Sequence, residues 1–390
     1  MDKEKFKNRN KVAETPKYWI RLTRFCNNNC IFCLDKGAQN GSVIDLKTVK
    51  AQLREGRKQN IKKLVLSGGE PTVHPDYLAI IKYAGSIGYE GIQTVSNGRM
   101  FAYKGFLRKA VANGLTETTF SMHGHNKELY EIQSQIPGSF KQALTGLVNA
   151  LKTEGLIVNI DIVINKTNYK YLEEIIRFYI KMGVSEFDLM HIVPFGGAWK
   201  NRKKIFYDPR LHISCLHRAF ALQNEFPWIY LWTNRLPAIY LEGYEELIQN
   251  PFKLKDEIRG RKRMLEDYLK NDNLMNCHGS RCKYCFLEMF CRDLIELKRS
   301  GILKSMPYPS CIKSKQPDQD PYLWKNFKMD NFLDFYIEKR YFIKSFRCRD
   351  CGHNKSCSGM QINYIREHGF KVLKPFKQPV KKRRKPGTGE

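Results

Sequence analysis

Twelve cysteines dominate the chemistry open to this 390-residue chain. Three lie in the run Cys26-x-x-x-Cys30-x-x-Cys33, four are Cys277, Cys282, Cys285 and Cys291, and three are Cys348, Cys351 and Cys357, with Cys311 between the last two groups. The amino end lacks an apolar signal stretch, and in such a chain closely spaced thiols point to metal ligation rather than disulfides. Three thiolates on one loop can hold three irons of a [4Fe–4S] cluster and leave the fourth iron without a protein ligand. An open coordination position is what a catalytic metal needs. For this run alone, the competing arrangement is a zinc site completed by His74 or a remote cysteine. Cys215 stands apart in a helix-like stretch and reads as a small buried hydrophobe.

A second motif, Ser67-Gly68-Gly69-Glu70-Pro71, closes an apolar strand-like segment. Paired glycines let backbone groups approach a ligand closely, and Glu70 with its neighbouring backbone can accept hydrogen bonds from an ammonium group. The later cysteines repeat a spacing: Cys282-x-x-Cys285-x5-Cys291 and Cys348-x-x-Cys351-x5-Cys357. With Cys277 and Cys311 they supply enough thiolates for two four-ligand sites, iron–sulfur or structural zinc, and the spacing leaves their pairing open. Asn168, just ahead of an amphipathic stretch, reads as a helix N-cap.

These residues need a scaffold. From about 18 to 200 short apolar strands alternate with amphipathic helices, the strands predicted at 18–24, 62–68, 91–97, 117–123, 156–164 and 186–193. Repeated β-then-α units imply an α/β fold with a parallel sheet and right-handed crossovers, open or curled into a partial barrel. The cysteine run follows the first strand, at the end where such barrels place active sites. In strand four Thr119, Ser121 and His123 share one face, and in strand five Asn159 and Asp161 oppose Ile160, Ile162 and Ile164. The aliphatic faces should meet the helices, which turns the polar faces inward and predicts a wet, ligand-shaped lumen. Residues 201–276 read as a helical and irregular connecting region, with one charged helix at 254–270. Residues 277–370 are cysteine-rich and irregular apart from a helix-like stretch at 323–344, and small segments of this kind often need a metal to hold them. Residues 1–17 form an extension and 371–390 a basic tail.

Taken together, Cys26, Cys30 and Cys33 with Phe32 between them, Gly68-Gly69-Glu70-Pro71, and Ser96-Asn97-Gly98 resemble the radical S-adenosylmethionine superfamily. The resemblance implies a partial (β/α)6 TIM-like barrel over 18–200. Its [4Fe–4S] cluster would bind the amino and carboxylate groups of S-adenosylmethionine, and its reduction would yield a 5′-deoxyadenosyl radical that abstracts a substrate hydrogen. It also implies that Gly68, Gly69, Glu70 and Pro71 hold the methionine end, and that Asn97, Ser121 and His123 line the cofactor site. Residues 277–370 are similar to SPASM/Twitch extensions, which implies two auxiliary [4Fe–4S] clusters on Cys277, Cys282, Cys285, Cys291, Cys311, Cys348, Cys351 and Cys357. The family's further x3-Cys is absent, since Asp293-Leu294-Ile295 stands there. Pro194–Trp199 resembles the loop many members place beside the substrate.

That likeness implies a peptide or protein side chain as substrate, in the manner of a ribosomal-peptide maturase, with a flavodoxin or ferredoxin as electron donor. The formal charge of +28 motivates a second class, RNA modification, although a Lys-rich solvated surface explains the charge as well and no RNA-binding motif accompanies it. A small-molecule substrate is a third reading. An iron–sulfur electron carrier would need neither the glycine-rich turn nor a wet lumen. No apolar run is long enough to cross a bilayer, and the expectation is a soluble cytoplasmic protein. With the first strand beginning near residue 18, no leader-binding domain is expected ahead of the barrel.

Overall fold

The computed structural model describes residues 15–271, 275, 277–313 and 320–376. They fall into two compact units, one containing the chain up to Leu236 with Cys277–Phe286, the other containing Pro237–Asn276 and the chain from Leu287. The expected basic tail from 377 onward and most of the amino-terminal extension lie outside the described residues.

The first unit is built on one parallel sheet in the order β1-β2-β3-β4-β5-β6-β7: β1 (Lys17–Arg21), β2 (Lys63–Ser67), β3 (Gly91–Ser96), β4 (Glu117–Ser121), β5 (Ile157–Ile164), β6 (Glu186–His191) and β7 (Tyr230–Asn234). Helices α1 (Leu46–Lys58), α2 (Tyr77–Ser86), α3 (Lys104–Ala112), α4 (Lys127–Ser134), α5 (Ser139–Leu151) and α6 (Leu172–Lys181) connect the first six strands. The chain continues through α7 (Gly196–Lys200), α8 (Arg202–Ile205) and α9 (Ile213–Glu225) into β7. The sheet thus has seven strands where six were expected, and the seventh lies in the stretch read as helical and irregular. Leu231 and Thr233 are buried while Tyr230 is exposed, so it is a true alternating strand, only five residues long.

Alternation decides which face does what. Ile20, Leu22, Leu64, Leu66, Ile160, Ile162, Ile164, Phe187 and Leu189 are buried on one face, whereas Gln93, Thr119, Asn159, Asp161, Glu186, Asp188 and Trp232 share the other by register. The sheet curls around this polar face. Flat, β1 and β5 would stand about 19 Å apart at ~4.8 Å per strand, yet the Lys17 ammonium on β1 eases the ionisation of Asp161, Glu186 and Asp188 on β5 and β6. Hydrogen bonds run around the inside: Gln93 Nε2 to Thr119 Oγ1 (2.8 Å), Thr119 Oγ1 to Asn159 Oδ1, Asn159 Nδ2 to Glu117 Oε1 (2.9 Å) and Trp232 Nε1 to Glu186 Oε1 (2.9 Å). The lumen is polar, as the alternation predicts.

The second unit is mostly short elements. The helix expected over 254–270 is two, α10 (Leu254–Arg259) and α11 (Lys262–Lys270), broken at Gly260-Arg261. After α12 (Glu288–Ser300) come the two-residue strands β8 (Ile302–Leu303) and β9 (Tyr322–Leu323), paired antiparallel. The stretch expected to be helical over 323–344 is α13 (Met329–Phe335) running into a wider π turn at Tyr336–Arg340, then β10 (Phe342–Ile343), which pairs β11 (Met360–Gln361) ahead of α14 (Ile362–His368). A core of Phe290, Leu294, Phe332, Tyr336 and Ile337 is anchored by the buried Asp293, whose carboxylate accepts two bonds from Arg340 (2.7 and 2.8 Å). No helix of the described residues is long and apolar enough to cross a membrane.

Candidate active site

The loop carrying Cys26, Cys30 and Cys33 leaves β1 and is gripped from three sides. On one side the turn after β2 reaches it: Gly69 N–H donates to Thr23 O (2.7 Å) and Glu70 N–H to Phe25 O (2.8 Å). The glycines make that approach possible, because a Cβ on Gly69 would sit 2.1 Å from Phe25 O and one on Gly68 2.7 Å from Thr23 O. On the second side, Asn29 N–H and Ile31 N–H donate to the carbonyls of Ser134 and Gln133 at the end of α4 (both 2.9 Å). On the third, Gly197 N–H donates to Cys33 O (2.8 Å) and Asn201 Nδ2 to Ile31 O (2.9 Å). Gly196, with φ +52°, again has no room for a side chain, its Cβ falling 2.1 Å from Leu34 O. Ile31 and Phe32 pack on Ile192, Ala198 and Ile205, so the Pro194–Trp199 segment is a wall of the cysteine loop.

The three thiols sit close enough to feel one another. Burial pushes the Cys26 thiol up to about 12, with the Glu70 charge adding to it and the Asn28 N–H easing it back. Burial raises Cys30 further, reinforced by Cys26 and Cys33, and burial also raises Cys33. Three half-buried, mutually repelling thiolates call for a cationic centre, and a cluster spreads its ligands over several irons rather than gathering them on one ion. Among the described residues no three His, Cys, Asp or Glu side chains have the spacing of a single-ion site. His74 is not spare for zinc: its Nε2 bonds Ile44 O (2.7 Å) and its Nδ1 accepts from Asp76 N–H (3.0 Å). N–H groups already point at sulfur, Asn28 N to Cys26 Sγ (3.4 Å) and Gln39 Nε2 to Cys33 Sγ (3.5 Å). The residues present fit an iron–sulfur cluster.

Glu70 is 1% exposed and fully engaged. Its Oε1 accepts from Thr72 Oγ1 (2.5 Å), Thr72 N–H (3.1 Å) and Ser96 Oγ (2.8 Å), and its Oε2 from Asn97 N–H (2.7 Å). A carboxylate offers about four acceptor sites, so its side chain is taken up in tying the end of β2 to the end of β3. Pro71 is buried at the start of the short turn Pro71–Val73. Asn97 continues the strap by donating to Asn27 Oδ1 (2.6 Å). Arg99, which sequence reasoning missed, donates to Asn27 O and to Asn28 Oδ1 (3.0 Å) and so pins the cysteine loop. Nothing in its local sequence marks that role.

Ser121 ends β4 beside Asp161 in register, facing the lumen. His123 lies just beyond, buried, its ring edge-on to Phe32 with centroids 4.7 Å apart. Burial pulls its pKa down to about 3, so the ring is neutral. Nδ1 accepts from Val163 N–H (3.1 Å), which puts the proton on Nε2. Asn168 is not the expected cap: its Nδ2 donates to the carbonyls of His123 and Val163 (both 3.0 Å), tying the ends of β4 and β5 together. Cys215 on α9 is half-buried rather than a core residue.

In the second unit Cys348 and Cys351 lie on and just after the turn Phe346–Asp350. Burial raises the Cys348 thiol, and Cys311, Cys357 and Cys351 each raise it further, which gathers four thiols the spacing could not pair. Gly359 N–H points at Cys357 Sγ (3.3 Å). Of the remaining four, Cys277, Cys282 and Cys285 belong to the barrel unit, where Gly279 N–H points at Cys282 Sγ (3.3 Å), and Cys291 is on α12 of the other.

Residues 20–179 match the model of the Radical SAM superfamily. Over 180 residues, 45% of this chain, it is 29% identical to a protein of Sulfurisphaera tokodaii named probable GTP 3',8-cyclase, and over 178 residues 26% identical to one of the same name from Saccharolobus solfataricus. The chain spans 56% and 57% of the length of those relatives. Among solved structures, SuiB of Streptococcus suis bound to S-adenosylmethionine aligns with 97% of this chain and 80% of its own at 15% identity and a TM-score of 0.47. The hydrogenase maturase HydG aligns with 63% and 59% at 14% identity, also with a TM-score of 0.47. What the family match assigns is therefore the barrel segment: residues 20–179, the cysteine loop among them, carry a Radical SAM domain.

Proposed function

We propose that this protein binds a [4Fe–4S] cluster on Cys26, Cys30 and Cys33 and uses S-adenosylmethionine to remove a hydrogen atom from a peptide or protein side chain. The observation that carries the reading is the half-buried thiol triad, clamped at the C-terminal end of β1 next to a polar barrel lumen. When bound, the cluster supplies the electron that cleaves S-adenosylmethionine to methionine and the 5′-deoxyadenosyl radical. The chain's own residues do the rest. The backbone of Gly68–Pro71 accepts from the cofactor's amino group, at a height fixed by Glu70 through Ser96 and Asn97. His123 offers its Nε2–H to the cofactor's ribose or carboxylate, held in that tautomer by Val163. Ser121 adds a hydroxyl at the same strand end.

The second unit carries auxiliary cluster ligation in this reading, on Cys311, Cys348, Cys351 and Cys357, while Cys277, Cys282 and Cys285 offer further thiolates in the barrel unit. Such clusters would accept the electron left after hydrogen abstraction, and a flavodoxin or ferredoxin would reduce the first. A second reading, a nucleotide substrate, is favoured by the names of the relatives.

The test is anaerobic reconstitution followed by dithionite and S-adenosylmethionine, with 5′-deoxyadenosine measured by chromatography. Slow release without substrate is expected, abolished in Cys30→Ala, and cleavage that persists in that variant would place the chemistry elsewhere. Stimulation by peptides rather than by GTP or RNA supports the substrate class; the reverse replaces it.

A further inference from the structure

The lumen contains a pair of carboxylates that the cofactor chemistry does not use. Asp161 on β5 and Asp188 on β6 are direct register partners, and Asp161 is in turn the register partner of Ser121 at the end of β4. Adjacent strands bring such side chains to within about 5 Å. Asp161 is 9% exposed and accepts no hydrogen bond from the described residues. Asp188 is part-buried as a residue, but its Oδ1 is shut from solvent and accepts none either, while its Oδ2 has one long bond from Asn234 Nδ2 (3.4 Å).

Buried polar groups in folded proteins are almost always paired, and an unpaired carboxylate is among the most costly exceptions. The neighbouring acids obey the rule: Glu117 has Asn159 and Glu186 has Trp232. The aspartate pair has the most acceptor capacity left among these acids, and it faces the lumen. The balance of charge on this wall is acidic, with Glu117, Asp161, Glu186 and Asp188 against Lys17 and Arg235 as the cations that bear on the pair. A polyphosphate would be repelled from such a wall. A compact cation with several donors would complete it.

We infer that Asp161 and Asp188 form a subsite for an alkylammonium group, as carried by a lysine side chain or a peptide amino terminus. This deepens the substrate reading above and rests on it. The ammonium donates to Asp161 and to Asp188 Oδ1, replacing the donors that the protein withholds, and so sets which carbon of the substrate faces the cofactor.

The experiment uses the full reconstituted chain and n-butylammonium chloride as probe, with sodium butyrate as control, followed by calorimetric titration. Binding of the amine but not the acid is expected, at least ten-fold weaker in both Asp161→Asn and Asp188→Asn. The two substitutions are isosteric and independent, so a folding defect in one leaves the other to report. No amine binding by the wild type, or equal binding by both variants, overturns the subsite. The wild type also separates this inference from the broader one. Release of 5′-deoxyadenosine without amine binding sinks the subsite alone, whereas amine binding without any S-adenosylmethionine cleavage sinks the radical reading and leaves the subsite standing.

Discussion

The two best-defined sets of thiols in this molecule are held in opposite ways. Cys26, Cys30 and Cys33 sit on an irregular loop, yet that loop is hydrogen-bonded to the ends of regular elements on three sides and overlaid by two glycine pairs. Cys311, Cys348, Cys351 and Cys357 sit among two-residue strands and short turns, in a unit whose polar anchor is the Asp293–Arg340 pair. The barrel holds its cysteine loop with hydrogen bonds of its own. The second unit has little regular backbone around its thiols, and a metal bound there would contribute folding free energy as well as ligation.

Metal removal should therefore separate the two. In hydrogen exchange of the chelated protein, amides of β1–β7 should stay protected while those of residues 342–361 lose protection by orders of magnitude. Equal loss in both regions would erase the contrast. The next largest effect belongs to Asp293→Ala, which strands the Arg340 guanidinium in a buried site. It should destabilise the second unit by about 3–5 kcal/mol in urea unfolding and leave the barrel's transition in place. In the barrel, Gly69→Ala should cost about 1–3 kcal/mol through overpacking against Phe25 O and lower iron retention by the loop, read by iron analysis and thermal unfolding. An unchanged iron content would mean the clamp does not position the cysteines.

The smallest effect is a slope. Burial raises Asp161 and Asp188 above 3.8, Asp188 to about 6, so between those values the native state holds protons that the unfolded chain has released. Stability contributed by the protonated pair is complete below the unfolded value and declines as pH rises through the folded one. Barrel stability should fall from about pH 4 to pH 6–7 in the wild type and fall less in Asp188→Asn. Parallel curves would show that the pair is already compensated.

Much of this was legible beforehand, for identifiable reasons. Six strands followed from the switch between two-residue and 3.6-residue periodicity, and the polar lumen followed from Asn159 and Asp161 sharing a face. The seventh strand, Tyr230–Asn234, escaped because five residues between Pro227 and Pro237 give too short an alternation to separate from a turn. Gly68 and Gly69 were recognisable as a close approach, but what they approach is the cysteine loop itself. Glu70 looked like a ligand because a sequence cannot display that Thr72, Ser96 and Asn97 already occupy its oxygens. Arg99 and Asn168 act through contacts with residues far along the chain, which no local pattern encodes. The grouping of Cys311 with Cys348, Cys351 and Cys357 likewise depends on how the chain folds back, not on spacing.

The clamp on the cysteine loop also has a history in time. The bond from Asn201 to Ile31 joins positions 170 residues apart, and Gly197 to Cys33 is nearly as distant. At about 5–20 residues per second, the ribosome delivers the third wall on the order of ten seconds or more after the thiols themselves. Until then the loop is closed on at most two sides, and its cysteines are open to oxidants and stray metal ions. A cluster donor that came after β6 would meet a finished cradle, and one that came earlier would meet an unfinished one.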